Sequence, residues 1–92
     1  MILSFKCSDT QSLFDSGESR RWGGVLRVAT RKLLMLHAAT ELRDLRSPPG
    51  NRLEPLHGNR DGQHSIRIND QWRICFVWTD AGPTEVEIVD YH

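Results

Sequence analysis

The stretch "QWRICFVW", residues 71–78, decides the fold. With a period of two it sorts Trp72, Ile74, Phe76 and Trp78 onto one face, and Gln71, Arg73, Cys75 and Val77 onto the other. A strand with one wholly apolar face must bury that face, and its neighbours share the pattern. In "QHSIRI" (63–68), Ile66 and Ile68 join the apolar set, while Ser65, Arg67 and the following Asn69 fall with Arg73. In "EVEIVDYH" (85–92), Val86 and Ile88 point to the core, and Glu87, Val89 and Tyr91 point away. "ND" (69–70) and "TDAGPT" (79–84) read as turns. "RLEPLHG" (52–58) is a short strand whose Pro55 suits a sheet edge or a bulge. The second half of the chain is therefore an antiparallel meander.

Upstream of "SPPGN" (47–51), which stops any helix, the period is different. Trp22, Leu26, Ala29, Leu33 and Leu36 recur at steps of three or four, the spacing of an amphipathic helix between Arg20 and Ala39. Gly23 and Gly24 weaken its start, each by about 1 kcal/mol against alanine. "TELRDLRS" (40–47) allows a further short helix or turn. "SDTQSLFDSG" (8–17) reads as a short helix capped by Ser8 or Asp9 and ended by Gly17. "ILSFKC" (2–7) reads as an N-terminal strand. The order predicts an α+β fold: N-terminal strand, two helices, then a meander with the helices packed on one sheet face. At 92 residues this is one domain, 1–92.

No apolar run approaches the length of a membrane span, and the opening residues lack the form of a secretory signal. A cytoplasmic protein without membrane contact is expected; Cys7 and Cys75 could pair across neighbouring strands, but without an export signal free buried thiols are the expected state. Net charge is zero, but residues 20–73 hold eleven Lys/Arg against five acids, a local +6. Ten of those eleven are arginines, whose guanidinium fork matches phosphate oxygens. The plainer reading is a solvated helix face with scattered surface charge.

Alternation leaves Arg67, Arg73 and Tyr91 on a sheet face with no helix to cover it, a platform suited to nucleic acid. Strict alternation puts Asp90 and His92 on the core side. A terminal residue can twist away, and burial without a partner is costly, so both are expected at the sheet edge. The plainer reading makes "DYH" (90–92) a frayed polar end. His37 reads as a packing or surface histidine, His64 begins a strand, and His57 ends one before Gly58. No Cys/His spacing resembles a metal site, and no glycine-rich phosphate loop is present.

"RLEPLHGNRDGQHSIRINDQWRICF" (52–76), the closing "DYH" and the opening "MILSF" resemble the HigB toxins of the RelE/ParE toxin–antitoxin superfamily. The resemblance runs over nearly the whole chain. It implies the compact RelE/ParE-like α+β fold and a ribosome-dependent endoribonuclease that cuts mRNA in the ribosomal A site. It also implies a HigA-type helix-turn-helix antitoxin, through which the pair binds its own operator DNA. Arg73 matches an arginine that stabilises phosphate in related toxins, and Asp90, Tyr91 and His92 match active-site positions. Some HigB proteins carry histidine where Glu54 stands here. The related YoeB toxins carry a glutamate base in the same setting, and a basic residue where His57 stands.

RNA cleavage by the 2′-OH needs a base, a cation for the phosphorane-like charge and an acid for the departing 5′-oxygen. The expected assignment, with no cofactor, is Glu54 as base, Arg73 as stabiliser and His92 as acid, with Asp90 and the terminal carboxylate favouring its imidazolium. Tyr91 would stack or hydrogen-bond, and His57, Arg60, His64 and Arg67 would hold RNA. An alternative makes His92 the base and Glu54 structural. Other classes stay open: a non-nucleolytic ParE-like gyrase poison on the same scaffold, or a noncatalytic RNA-binding module.

Overall fold

A computed structural model describes residues 1–90. Among these residues, helices α1 (Ser8–Ser16) and α2 (Leu26–Ala38) precede four antiparallel strands: β1 (Glu54–Pro55), β2 (His64–Arg67), β3 (Trp72–Thr79) and β4 (Gly82–Asp90). The strands lie in the sheet in chain order, as a meander. Short 3₁₀ turns at Gly23–Val25, Leu42–Arg46, Pro49–Asn51 and Gly58–Arg60 complete the connections.

Register confirms the period-two reading. Ile66 pairs with Ile74 and Ile74 with Ile88, so an apolar row crosses three strands. Leu13 of α1 and Ala29, Leu33 and Leu36 of α2 bury completely in the same core. Each such leucine or isoleucine contributes roughly 1.5–3 kcal/mol by leaving water. Trp22, just ahead of α2, meets Trp72 edge to face at 6.3 Å and 84°, locking the helix approach to the end of β3.

The helix expected from Arg20 begins only at Leu26. Gly23 and Gly24 sit in a 3₁₀ turn instead, where their backbone entropy is less costly than in a helix interior. α1 starts on Cys7 without a side-chain cap, so neither Ser8 nor Asp9 plays that part. Its end is as read: Gly17 is left-handed at φ 74°, and its N–H donates to the Leu13 carbonyl at 2.8 Å.

The N-terminal strand is reduced to one parallel bridge, Phe5 to Val86. The cause lies in β4. Between Cys75↔Glu87 and Val77↔Thr84 the register slips by one residue, and Glu85 adopts φ 54°. Such a bulge bends the strand. The N-terminal segment follows the bend with a few bonds: Leu3 N–H to Pro83 O at 2.8 Å, Lys6 N–H to Val86 O at 3.0 Å, and Glu85 N–H to Ser4 Oγ at 3.0 Å. Farther along, Ile88 N–H donates to the buried Thr10 hydroxyl at 3.1 Å. The outer edge of β4 is thereby occupied by the chain's own residues rather than open to pairing. β1, two residues with Pro55 in it, forms the other edge.

Candidate active site on the outer face of the sheet

Residues paired across antiparallel strands share a face. Arg67 pairs with Arg73 and Arg73 with Val89; Ser65 pairs with Glu54 and with Cys75, and Cys75 with Glu87. All seven side chains therefore belong to the sheet face turned away from the helices. The sequence expectation of a bare face is corrected at its centre. Ser65, Arg73 and Cys75 are buried there. Arg73 lies along Ser65, to which it is bonded, and under the Arg52 carbonyl, and the Arg60–Glu87 pair stands beside Cys75.

Arg73 is the middle of this cluster, with only 10% of its side chain exposed. Its Nε donates to Ser65 Oγ at 2.8 Å, and its Nη2 donates to the Arg52 carbonyl at 2.8 Å. Glu54 Oε1 lies 3.4 Å from the same Nη2. A guanidinium so deeply placed must be hydrogen-bonded, because burying the charge without partners costs several kcal/mol. Glu54 stays half exposed, 47% of its side chain reaching solvent. The pair thus places a fixed cation beside an accessible carboxylate.

A second group adjoins it. Arg60 Nη1 donates to Glu87 Oε1 at 2.8 Å and to Gln63 Oε1 at 3.2 Å, with Lys6 Nζ 3.9 Å from the same Glu87 oxygen. Burial pushes the Cys75 thiol above its ordinary range and Glu87 adds to that, while the positive charges of Arg60, Arg73 and Lys6 oppose it. Arg67, at the other end of the face, pairs with the exposed Asp70.

Of the residues singled out in the sequence, the fold brings Glu54, Arg67 and Arg73 onto one face and sets Arg60 against that face through Glu87. His57 is exposed just past β1, at the start of the turn Gly58–Arg60. His64 is a correction. It pairs with Phe76 and Pro55, stacks on the Phe76 ring at 6.3 Å and 22°, and so belongs to the helix-facing side. Its parity with Ile66 dictates this. Asp90 pairs with Trp72, again on the helix-facing side by register, and is exposed at the sheet end, where Gln71 Nε2 donates to it at 3.2 Å. Tyr91 and His92 lie outside the described residues. Among the described residues, sequence reasoning missed two partners that hold Arg73. Ser65 was legible as a neighbour on its face, but nothing local announces the Arg52 carbonyl, delivered by a left-handed residue at φ 47°.

The model of the HigB-like toxins, the RelE-like toxin of the type II toxin–antitoxin system HigB, matches residues 4–92. The chain belongs to this family. Toxin HigB-1 of Vibrio cholerae is 40% identical over 83 residues, covering 88% of this chain and 87% of that protein. Endoribonuclease HigB of Proteus vulgaris is 33% identical over 94 residues, and the alignment covers 100% of both chains. Two crystal structures of YafQ from E. coli share the fold of this HigB-like chain. A histidine-to-glutamine mutant superposes with a TM-score of 0.66 and the other with 0.59, each 14% identical and covering 98% of this chain and 91% of the YafQ chain. As a type II HigB-like toxin, the chain has an antitoxin partner.

Proposed function

We propose that this chain is an endoribonuclease that cuts mRNA in the ribosomal A site and thereby stops translation. The observation carrying the reading is the Glu54–Arg73 pair, 3.4 Å apart on the outer sheet face, in a chain of the HigB-like family. Glu54 takes the proton from the ribose 2′-OH, and the freed oxygen attacks the adjacent phosphorus. Arg73 stabilises the charge that builds on the phosphoryl oxygens, and its fixed bonds to Ser65 and Arg52 mean it need not reorganise as the charge forms. His92 protonates the departing 5′-oxygen, assisted by Asp90, which is helix-facing by register but exposed at the end of the sheet. The products are a 2′,3′-cyclic phosphate, or the 3′-phosphate derived from it, and a 5′-hydroxyl. Tyr91 stacks on a base, and His57, Arg60 and Arg67 hold the backbone. His64, on the other face, has no place in this set.

The phosphate meets Arg73 beside Glu54, so the guanidinium turns from the carboxylate to the phosphate, and the carboxylate takes up the 2′-proton as the attack proceeds. The ribosome supplies the near-attack geometry, worth several kcal/mol of barrier. The antitoxin is of the HigA type, a helix-turn-helix protein that carries the pair to operator DNA, and the site of action is the bacterial cytoplasm, in keeping with the absence, among the described residues, of a helix long and apolar enough to cross a membrane.

The assignment is tested by Glu54→Gln and His92→Gln, measured separately by single-turnover cleavage of ribosome-bound mRNA against pH. Glu54→Gln is expected to abolish the acid limb of the profile and lower the rate by about 10²-fold or more, and His92→Gln to abolish the basic limb. Undiminished cleavage by Glu54→Gln would assign the base to His92 and leave Glu54 as the ion-pair partner of Arg73.

A further inference from the structure

The catalytic reading leaves a buried lysine unused. Lys32, on the core-facing side of α2, is only 5% exposed, between Ala29, Leu33 and Leu36 on the same helix. An ammonium in that position needs a partner. Its Nζ donates to Oδ1 of Asn51, which is itself fully buried. The Asn51 amide turns its nitrogen the other way. Nδ2 donates to the Leu45 carbonyl at 3.1 Å and the Ser47 carbonyl at 3.3 Å, with Met35 Sδ at 3.2 Å. Donor chemistry fixes this orientation, because an ammonium only donates and a carbonyl only accepts. One side chain therefore ties α2 to both ends of the turn over Leu45–Asn51.

The next residue is Arg52. It holds φ 47° and ψ 52°, a left-handed conformation that a non-glycine residue keeps only where its surroundings impose it. Its N–H donates to the Pro49 carbonyl at 3.1 Å, and its own carbonyl accepts from Arg73 Nη2 at 2.8 Å. The chain of contacts runs Lys32, Asn51, Arg52 backbone, Arg73, Glu54, from the helix layer to the outer face of the sheet.

We infer that Lys32 and Asn51 are positioning residues for Arg73, holding the Arg52 carbonyl where it aims the guanidinium at the scissile phosphate. The inference rests on the nuclease reading for its catalytic consequence, but not for its structural one. Neither residue touches RNA. Their removal leaves Arg73 with its Ser65 bond and its Glu54 ion pair but without the carbonyl that fixes the other end of the fork, and a displacement of order 1 Å at a reacting group lowers rates by roughly 10²-fold.

The test uses the full chain with Lys32→Met and, as a milder change to the same link, Asn51→Ser; circular dichroism establishes which variants fold. Two readings are taken on each folded variant. One is the ¹⁵N–¹H resonance of Arg73 Nε, assigned by its loss in Arg73→Lys, together with its solvent exchange rate. The other is single-turnover cleavage of ribosome-bound mRNA. The expected result is a displaced, faster-exchanging Arg73 signal with cleavage slowed about tenfold to a hundredfold at saturating ribosome, and a half-saturating ribosome concentration within about twofold of the wild type. Lys32→Gln, which keeps an N–H donor for Asn51, restores most of the rate. An unmoved Arg73 signal, or unchanged cleavage in a variant whose signal has moved, overturns the inference. If the wild-type chain itself does not cut mRNA, the nuclease reading fails, and the Arg73 resonance alone decides whether the pair positions that side chain.

Discussion

Arg73 is held on three sides by Ser65, the Arg52 carbonyl and Glu54. At this scale burial decides behaviour, and two other residues make it measurable. Cys75 is fully buried and its thiol is pushed above its ordinary range by burial, whereas Cys7 is partly exposed; both are free thiols. A thiol reagent reacts through the thiolate. Under native conditions Cys7 should therefore label first and Cys75 only at the rate of opening of the fold, as mass spectrometry after timed alkylation will show. Lys32 is held below its ordinary range by burial first, then by the charges of Arg31 and Arg67. Between that lowered value and 10.5 the unfolded chain binds more protons than the folded one, so stability rises with pH across this window. The difference in denaturation midpoint between the wild type and Lys32→Met should shift in favour of the wild type as pH rises through the window. A difference independent of pH would show that Lys32 titrates normally.

Among the elements, β4 departs furthest from a plain strand, and its start depends on one glycine. Gly82 lies at φ 137°, and a Cβ there would stand 2.5 Å from the Met1 carbonyl oxygen. Gly82→Ala combines a disfavoured backbone with a clash, and should lower stability by about 1–3 kcal/mol in urea denaturation. Gly24→Ala, with open space around its Cβ, is the control expected to be near neutral. The same elements show what a sequence can and cannot disclose. Alternation over 63–78 was enough to put Arg67, Ser65 and Arg73 on one face, because a strand's period is local. It applies equally to His64, whose parity with Ile66 outweighs its polarity. Gly23 and Gly24 already marked the start of α2 as weak, and α2 begins only after them; the N-terminal strand was not legible as a single bridge, because the irregularity of β4 at Glu85 is not encoded in the hydrophobic pattern. The Arg52 carbonyl and the Lys32–Asn51 contact were out of reach for a different reason: each joins segments 19 or more residues apart, so only the assembled fold brings them together.

At the scale of the molecule, a neutral chain concentrates eleven Lys/Arg in residues 20–73, and those on the outer sheet face are engaged with the chain's own acids, Arg60 with Glu87, Arg67 with Asp70 and Arg73 with Glu54. A face so satisfied internally should hold RNA weakly by itself, as the proposed delivery of the message by the ribosome requires. Purified protein should cut naked RNA at least about 10²-fold more slowly than ribosome-bound mRNA at equal concentration. Comparable rates on both would locate the whole of recognition in the toxin.

The proposed cutting centre is the outer sheet face around Arg73. In vitro translation with purified wild type and Arg73→Ala, followed by mapping of mRNA ends and their phosphate chemistry, tests it most directly. A-site cuts ending in 2′,3′-cyclic or 3′-phosphate are expected for the wild type, and a loss of about 10²–10³-fold in rate for Arg73→Ala at unchanged fold. Cleavage by Arg73→Ala at the wild-type rate would contradict it.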